Sequence, residues 1–258
     1  MPGASVLIIG AGLIGCEFAN DLVLSGHEVH VVDVAHAPLS RFLPTELGNV
    51  LKSELERVGV KWHLADSVRS IEHGAAKKLL VRTMGNAIYE ADLVLSAVGL
   101  RPRSDLAREA GLSVNKGIIV NEYLQTSDPD IYAIGDCMEF DRQIRPFVLP
   151  IQRAVGALGE SLTGNPSTVQ FPVMPVEVKT PSCPVVFVVP REGIEGEWHF
   201  EDGDAPNFVA RFISNSGEVR GMILMGTMTD ARHRYLDRIE MSPPSYAVHA
   251  QYSAQAHA

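Results

Sequence analysis

Short apolar runs and helical patterns alternate in the first third of the chain. Ser5–Ile9 and Glu28–Val32 are rich in apolar residues, which is typical of buried strands. Between them, Leu13–Leu24 has the apolar periodicity of a helix, and Gly26 follows as a suitable helix stop. The order strand, glycine turn, helix and strand predicts the start of a parallel α/β sheet.

The alternation continues to about residue 98. Thr45–Val58 carries its apolar residues on one helical face, and Leu79–Thr83 with Ala87–Glu90 predicts a hairpin around Gly85-Asn86. Two more strands are predicted, at Val60–Leu64 and Leu93–Ala97.

After residue 98 the pattern changes twice. Gly99-Leu-Arg-Pro102 breaks it and indicates a crossing into a second domain, with strands at Gly117–Val120 and Ile131–Ile134 and a helix at Ile151–Leu162. From about Val169 prolines are frequent, short strands alternate, and one polar helix is expected at about Asp230–Ile239. The residues from Ser242 on resemble a disordered tail. The predicted fold class is α/β, with domains at 1–98, 99–168 and 169–258, the last a small α+β domain.

Composition and charge disfavour several classes of function. The net charge of -9 disfavours a nucleic-acid partner, and no apolar run reaches the ~18 residues of a membrane span. Cys16, Cys137 and Cys183 form no CxxC pair and have no metal-ligand spacing, so we predict neither a redox dithiol nor a metal site. Three unpaired cysteines and no recognisable signal peptide favour a cytoplasmic location.

The first candidate site is the fingerprint Gly10-Ala11-Gly12-Leu13-Ile14-Gly15, which follows a predicted strand and opens a predicted helix. In that context the first glycine permits a tight turn, the second lets a pyrophosphate approach the backbone, and the third lets helix and strand pack closely. The helix N-terminus offers free N–H groups to phosphate. The alternative is a glycine turn without a ligand.

Two carboxylates accompany the fingerprint. Asp33 ends the second predicted strand, where a carboxylate can bind a ribose 2′-hydroxyl, and its charge would repel a 2′-phosphate, so NADH is expected over NADPH. The alternative for Asp33 is a solvated side chain. Glu17 follows the last glycine by two residues. It is either a first-turn acid favoured by the helix dipole or a carboxylate beside the nicotinamide.

A second motif, Thr126-Ser-Asp-Pro-Asp-Ile-Tyr-Ala-Ile-Gly135-Asp136, ends a predicted strand in Gly-Asp. Gly135 permits a close backbone approach, and Asp136 would lie at the sheet edge where open α/β sheets bind ligands. The alternative is an ordinary strand-ending turn.

The fingerprint, Ser96–Pro102 and Ile131–Asp136 occur in an order that resembles the pyridine nucleotide-disulphide oxidoreductase superfamily. Within it, Gly12–Asp21, Ser96–Pro102 and Pro175–Pro184 look like bacterial rubredoxin reductases. The resemblance extends from about Val6 to Met225.

This resemblance implies a flavoprotein of electron transport. Residues 1–98 would be the NAD-binding Rossmann domain, 99–168 the second half of a split FAD-binding domain, and 169–258 the C-terminal domain. NADH would reduce FAD, and FAD would pass single electrons to rubredoxin or a similar small carrier. Glu17 would lie near the nicotinamide–flavin contact. The residues that would contact FAD are Asp136, Val148 and Lys179, and Gly99 and Gly135 are further predicted cofactor-binding residues. No catalytic acid, base or nucleophile is predicted.

Members of the resembled family begin with a further strand and GxGxxG that bind the ADP part of FAD. The chain has one such fingerprint, so we expect an N-terminally truncated form with weak or lost FAD binding. The alternatives are a related ferredoxin or flavorubredoxin reductase, or a non-catalytic NADH-binding module. Because rubredoxins are typically acidic, the resemblance implies a basic docking face on this chain. The alternative is that its basic residues are scattered, solvated surface charges. The candidate residues for that face are Arg101, Arg103, Arg142, Arg145 and Lys179.

Overall fold

The computed structural model describes residues 3–74, 76, 78–201, 203–236 and 239. The chain divides into two compact units, the first containing Met1–Gly99 with Pro175–Glu240 and the second containing Leu100–Met174. The three-domain division at residues 98 and 168 stays a prediction, and the expected tail from Ser242 lies outside the described residues.

The strands of the first part of the chain are β1 (Ser5–Ile9), β2 (Glu28–Asp33), β3 (Lys61–Leu64), β4 (Val68–His73), β5 (Leu79–Thr83), β6 (Ile88–Ala91) and β7 (Leu93–Ser96). Those that follow are β8 (Ile118–Val120), β9 (Met138–Phe140), β10 (Gln143–Ile144), β11 (Val176–Val178), β12 (Val185–Val188), β13 (Gly196–Phe200), β14 (Val209–Ser214) and β15 (Val219–Met225). The α-helices are α1 (Leu13–Leu24), α2 (Thr45–Arg57), α3 (Asp105–Glu109), α4 (Val148–Leu162) and α5 (Arg232–Leu236).

A parallel sheet with the order β3-β2-β1-β7 forms the centre of the first unit. The helix α2 covers part of it because Leu47, Leu51 and Leu55 recur every four residues and are all buried. The α/β fold class predicted from the strand–helix alternation is confirmed.

A small antiparallel sheet, β4-β5-β6, packs on the parallel sheet. Leu7 and Val32 of the parallel sheet share a buried cluster with Val81 and Ala91. The hairpin β5–β6 agrees with its prediction, whereas β4 was not predicted.

A five-stranded antiparallel sheet, β11-β12-β15-β14-β13, completes the first unit. Phe187 of β12 stacks on Phe42 with ring centroids 5.0 Å apart, so this sheet shares one core with the parallel-sheet region. Strands β11 and β13 were not predicted. The polar helix expected at Asp230–Ile239 is replaced by a 3-10 helix at Gly226–Ala231 and by α5, and its residues 237 and 238 lie outside the described part of the chain.

The second unit contains the sheet β10-β9-β8 and the helix α4, which begins three residues before the predicted start at Ile151. The strand expected at Ile131–Ile134 is wrong. Tyr132 forms a single bridge with Gln125, and the backbone enters a 3-10 helix at Gly135, so these residues do not build a ladder within the described chain.

Candidate functional site

The turn between β1 and α1 is shaped by its glycines. Gly10 has φ +109°, and a Cβ atom there would lie 2.4 Å from the carbonyl oxygen of Ala97. A Cβ atom on Gly15 would lie 1.9 Å from the carbonyl oxygen of Gly10. At Gly12, by contrast, no described atom lies within 4 Å of an added Cβ. Two glycines therefore allow close packing, and the middle one leaves open space.

That open space lies at the start of α1, where Gly12 is the N-cap residue. The first intrahelical bond is donated by the Cys16 amide to the Gly12 carbonyl at 2.9 Å, so the amides of Leu13, Ile14 and Gly15 have no acceptor within the helix. Free amides and the positive end of the helix dipole favour an anion such as a pyrophosphate. The turn therefore fits the phosphates of a dinucleotide.

Asp33 holds the same turn from the end of β2. Its Oδ2 accepts a hydrogen bond from the Ala11 amide at 2.5 Å, and its Oδ1 accepts one from the Ala35 amide at 2.7 Å. The carboxylate is only partly buried, so each oxygen keeps acceptor capacity for a ribose hydroxyl. Asp33 thus combines a structural contact to the glycine turn with the predicted position for a ribose.

An open cleft of about 460 Å³ begins beside Asp33. Val34 and Met84, which line it, are exposed to 73% and 63%, although both are apolar. Asp66 is at its edge, and the hydroxyl of Thr83 and the amide of Gly85 lower the pKa of that carboxyl. This cleft was not predicted from the sequence. The one sequence feature that points to the cleft is the apolar Val34, which directly follows the strand-ending Asp33 where the chain leaves the sheet.

Cys16, next to Gly15, is buried. Burial, followed by the charges of Asp33 and Glu17, raises the pKa of this thiol far above its ordinary value. Cys183 is also buried, and burial raises its pKa to about 12. Both side chains therefore stay as thiols at neutral pH and are unsuited to nucleophilic chemistry.

Glu17 lies one turn further into α1 than predicted. All of α1 is described, and its first turn contains no acidic residue, so the interpretation of Glu17 as a first-turn acid is wrong. Its Oε1 instead accepts a hydrogen bond from the Lys179 amide at 2.8 Å. The structure thus joins two predicted site residues that are far apart in sequence, while the Lys179 side chain is exposed.

The other predicted residues are at bends in the backbone. Gly99, the last residue of the first unit, has φ +95°, and Gly135 in the second unit has φ +82°. Asp136, next to Gly135, is exposed in the 3-10 helix Gly135–Cys137, which contacts α4. Val148 is the first residue of α4 and is exposed to 71%. Asp136 and Val148 therefore occupy neighbouring elements of one unit.

Two family profiles match successive parts of the chain. The sequence profile of the family described as pyridine nucleotide-disulphide oxidoreductase matches residues 1–160. The chain belongs to this family. A second profile, described as a rubredoxin binding C-terminal domain, matches residues 168–239. The predicted resemblance to the pyridine nucleotide-disulphide oxidoreductases is confirmed.

Two similar proteins carry different names. The rubredoxin-NAD(+) reductase of Acinetobacter baylyi is 38% identical over 238 residues, which are 91% of this chain and 60% of that protein. The nitric oxide reductase FlRd-NAD(+) reductase of Aeromonas hydrophila is 38% identical over 226 residues, 88% of this chain and 58% of that protein. The chain thus spans about three-fifths of the length of these relatives.

The fold also matches a solved structure. A crystal structure of an FAD-dependent pyridine nucleotide-disulphide oxidoreductase from Desulfovibrio vulgaris has a TM-score of 0.80 and 27% identity, and covers 91% of this chain and 62% of that one. Among the residues that the structure describes, no helix has the length and apolar character needed to cross a bilayer.

One residue predicted for a basic docking face, Arg145, is wrong because its side chain is buried. Arg145 is 9% exposed, donates to the Phe140 carbonyl at 2.7 Å, and lies over the Phe171 ring with its guanidinium carbon 4.7 Å from the centroid. A side chain held in this way cannot meet a partner. The remaining candidates, Arg101, Arg103, Arg142 and Lys179, are exposed.

Proposed function

We propose that this chain carries the nicotinamide-binding and carrier-binding parts of a cytoplasmic, NADH-dependent FAD flavoprotein reductase that passes electrons to rubredoxin. The observation that most supports this proposal is the order of the two matched profiles, pyridine nucleotide-disulphide oxidoreductase followed by the rubredoxin binding domain. The name of the Acinetobacter relative supports rubredoxin as acceptor. The free cysteines agree with a reducing compartment.

The residues at the glycine turn fit NADH. The amides of Leu13, Ile14 and Gly15 would bind the pyrophosphate, and Gly12 provides the clearance for it. Asp33 would accept from the ribose hydroxyl, and its negative charge disfavours the 2′-phosphate of NADPH.

The second unit offers residues that fit part of FAD. The backbone at Gly135 has open space beside it, Asp136 is exposed next to it, and α4 presents its N-terminal amides near Val148. Asp136 would accept hydrogen bonds from hydroxyl groups, and the start of α4 would favour negative charge. In the first unit, Gly99 allows a close approach and Lys179 adds a positive charge that stabilises an anion.

When bound, NADH supplies a hydride and FAD divides the two electrons into single ones for an iron protein. The chain's own residues contribute binding, orientation and charge, and none acts as an acid or base. The exposed basic residues Arg101, Arg103, Arg142 and Lys179 would raise the association rate with an acidic carrier.

The test uses the purified chain with FAD added. We expect NADH to bind, and any flavin that the protein retains to be bleached by NADH and reoxidised by rubredoxin at a rate that falls with added salt. A colourless protein that binds NADH and stays colourless with FAD would support a non-catalytic NADH-binding module. Failure to bind NADH would refute the proposal.

A flavorubredoxin is the second candidate acceptor, because the Aeromonas relative is named for it and is equally identical at 38%. Parallel assays with rubredoxin, a flavorubredoxin rubredoxin domain and a ferredoxin distinguish the candidates by their second-order rates. Equal rates with all three would remove rubredoxin as the preferred acceptor.

A further inference from the structure

Two side chains of α1 hold the loop that follows β11. Glu17 Oε1 accepts from the Lys179 amide at 2.8 Å, and Asn20 Oδ1 accepts from the Ser182 amide at 3.2 Å. Positions 17 and 20 are one helical turn apart and lie on the same face of α1. Each bond joins residues that are 162 positions apart in the chain. We call these two contacts the α1 clamp.

Asn20 has an unusual position for its residue type. It lies inside a helix with 0% exposure, although asparagine is a poor helix former and a buried amide is costly unless it is hydrogen-bonded. Its carbonyl oxygen bonds to Ser182, and its Nδ2 lies 3.4 Å from Asp21 Oδ1. Helix formation alone would favour alanine here, so the contact to the loop is the physical reason for an asparagine.

The loop at residues 179–184 is itself stiff. Thr180 Oγ1 donates to the Cys183 carbonyl at 2.6 Å, and the Cys183 amide donates back to the Thr180 carbonyl at 2.8 Å. The pairing of β11 with β12 ends at the pair Val178 and Val185. Among the described residues, the acceptors for the Lys179 and Ser182 amides therefore come from α1 and not from a strand. The clamp sets where the whole loop lies relative to α1.

We infer that Glu17 and Asn20 are positioning residues that couple nucleotide binding at the start of α1 to the placement of Lys179. This inference rests on the proposed function for the NADH site. Glu17 belongs to the helical turn that follows the free amides of Leu13, Ile14 and Gly15. A ligand that restrains those amides makes α1 harder to open, and the loop can open only by releasing its bonds to the same helix.

The coupling assigns Glu17 a role that differs from both sequence interpretations. Its Oε1 accepts from the Lys179 amide, and the proposed role is this hold on the loop rather than a contact with the nicotinamide. Because coupling is reciprocal, fixing the loop also restrains the binding end of α1. The backbone of Lys179, from which the cationic side chain extends, would then be held in one place while NADH is bound.

The test measures hydrogen exchange at the Lys179 and Ser182 amides of the whole chain, with and without NADH. In the wild type, NADH should slow both amides on the order of fivefold, although neither belongs to the glycine turn. In Glu17→Ala the Lys179 amide should exchange about tenfold faster without NADH, and NADH should no longer slow that amide, while Ser182 stays bonded to Asn20. Glu17→Gln keeps an acceptor oxygen and should restore most of both effects.

The controls separate the possible failures. Glu46→Ala removes an exposed acid of α2 and should leave loop exchange unchanged. By the same reciprocity, NADH affinity in Glu17→Ala should fall by no more than about fivefold, the factor by which NADH slows the loop. If NADH binds the wild type and slows the α1 amides but not Lys179, the coupling is refuted while the proposed function stands. A large loss of NADH affinity in Glu17→Ala would also overturn it, since Glu17 would then contact the nucleotide. If no variant binds NADH, the proposed function fails and the coupling fails with it.

Discussion

Gly15 lies so close to Gly10 that a Cβ atom on Gly15 would be 1.9 Å from the Gly10 carbonyl oxygen. This contact brings the first turn of α1 against the end of β1. Gly12, between them, has no described atom within 4 Å of an added Cβ. The three glycines of one fingerprint therefore separate into two that serve packing and one that leaves open space beside the turn.

This separation predicts that two alanine substitutions affect different properties, one mainly the stability of the fold and the other mainly the affinity for NADH. Gly15→Ala should lower the free energy of unfolding by about 2 kcal/mol or more, because backbone must move to admit the methyl group. Gly12→Ala should cost only about 0.5 kcal/mol at an N-cap position, yet weaken NADH binding at least about tenfold because the methyl group enters the phosphate space.

Urea unfolding and NADH titration of the two variants give the comparison, and each variant serves as the control for the other. Equal stability losses would show that both glycines serve packing. Unchanged NADH affinity in Gly12→Ala would place the phosphates elsewhere.

Asp33 predicts a change in nucleotide preference. Asp33→Ala should weaken NADH binding by about 1–3 kcal/mol because it removes the acceptor for the ribose hydroxyl. It should also reduce the difference in affinity between NADH and NADPH, because it removes the charge that repels the 2′-phosphate. It should also lower stability, because the Ala11 and Ala35 amides lose their acceptor. Fluorescence titration with both nucleotides measures this, with Asp130→Ala, an exposed acid of the second unit, as control. Parallel losses for NADH and NADPH would refute a role in discrimination.

The Rossmann-type region could be predicted from the sequence because the patterns that define it each lie within one short stretch of the chain. The spacing of Leu47, Leu51 and Leu55 and the context of the glycine fingerprint each lie within one element and its neighbours. The same approach failed where partners are distant. Glu17 bonds to a residue 162 positions away, and no periodicity within α1 indicates that contact. Ile131–Ile134 has the composition of a strand but only one bridging partner.

Arg145 shows the same limit for charged residues. Arginines are rarely buried, so a surface position was the reasonable expectation. Its burial depends on the Phe140 carbonyl and on the faces of Phe140 and Phe171, the second of which is 26 positions further along the chain. Composition gives no sign of such an aromatic enclosure. The set of candidate residues for a docking face is consequently smaller by one.

Arg145→Ala should therefore destabilise the second unit and not act on docking directly. Loss of the carbonyl bond and of the cation–π contacts should cost about 2 kcal/mol or more. Arg101→Ala, at an exposed position, should leave stability within about 0.5 kcal/mol and reduce the salt dependence of electron transfer to rubredoxin. Limited proteolysis and urea unfolding measure the first effect. An Arg145→Ala protein as stable as Arg101→Ala would contradict the buried role.

His63 predicts how stability depends on pH. Its Nε2 lies 2.9 Å from Nδ1 of His30, and its ring lies 4.3 Å from that of Tyr89, near Lys61 and Asp66. Burial, followed by the charge of His30, lowers its pKa below the ordinary 6.5, against a smaller opposing effect of Asp66.

The sign of the effect follows from proton binding. Just below pH 6.5 the unfolded chain takes up a proton at His63 while the folded protein does not. The stabilising contribution of neutral His63 is therefore fully present above pH 6.5. It is lost as the pH falls from 6.5 through the lowered pKa of His63 in the folded protein. His63→Gln removes this group and should flatten the decline in the free energy of unfolding between about pH 7.5 and pH 5. Asp66 and Asp92, whose pKa values are lowered from 3.8, act only at more acidic pH. Urea unfolding at several pH values measures the slope, and an identical slope in wild type and His63→Gln would show that His63 does not couple protonation to folding.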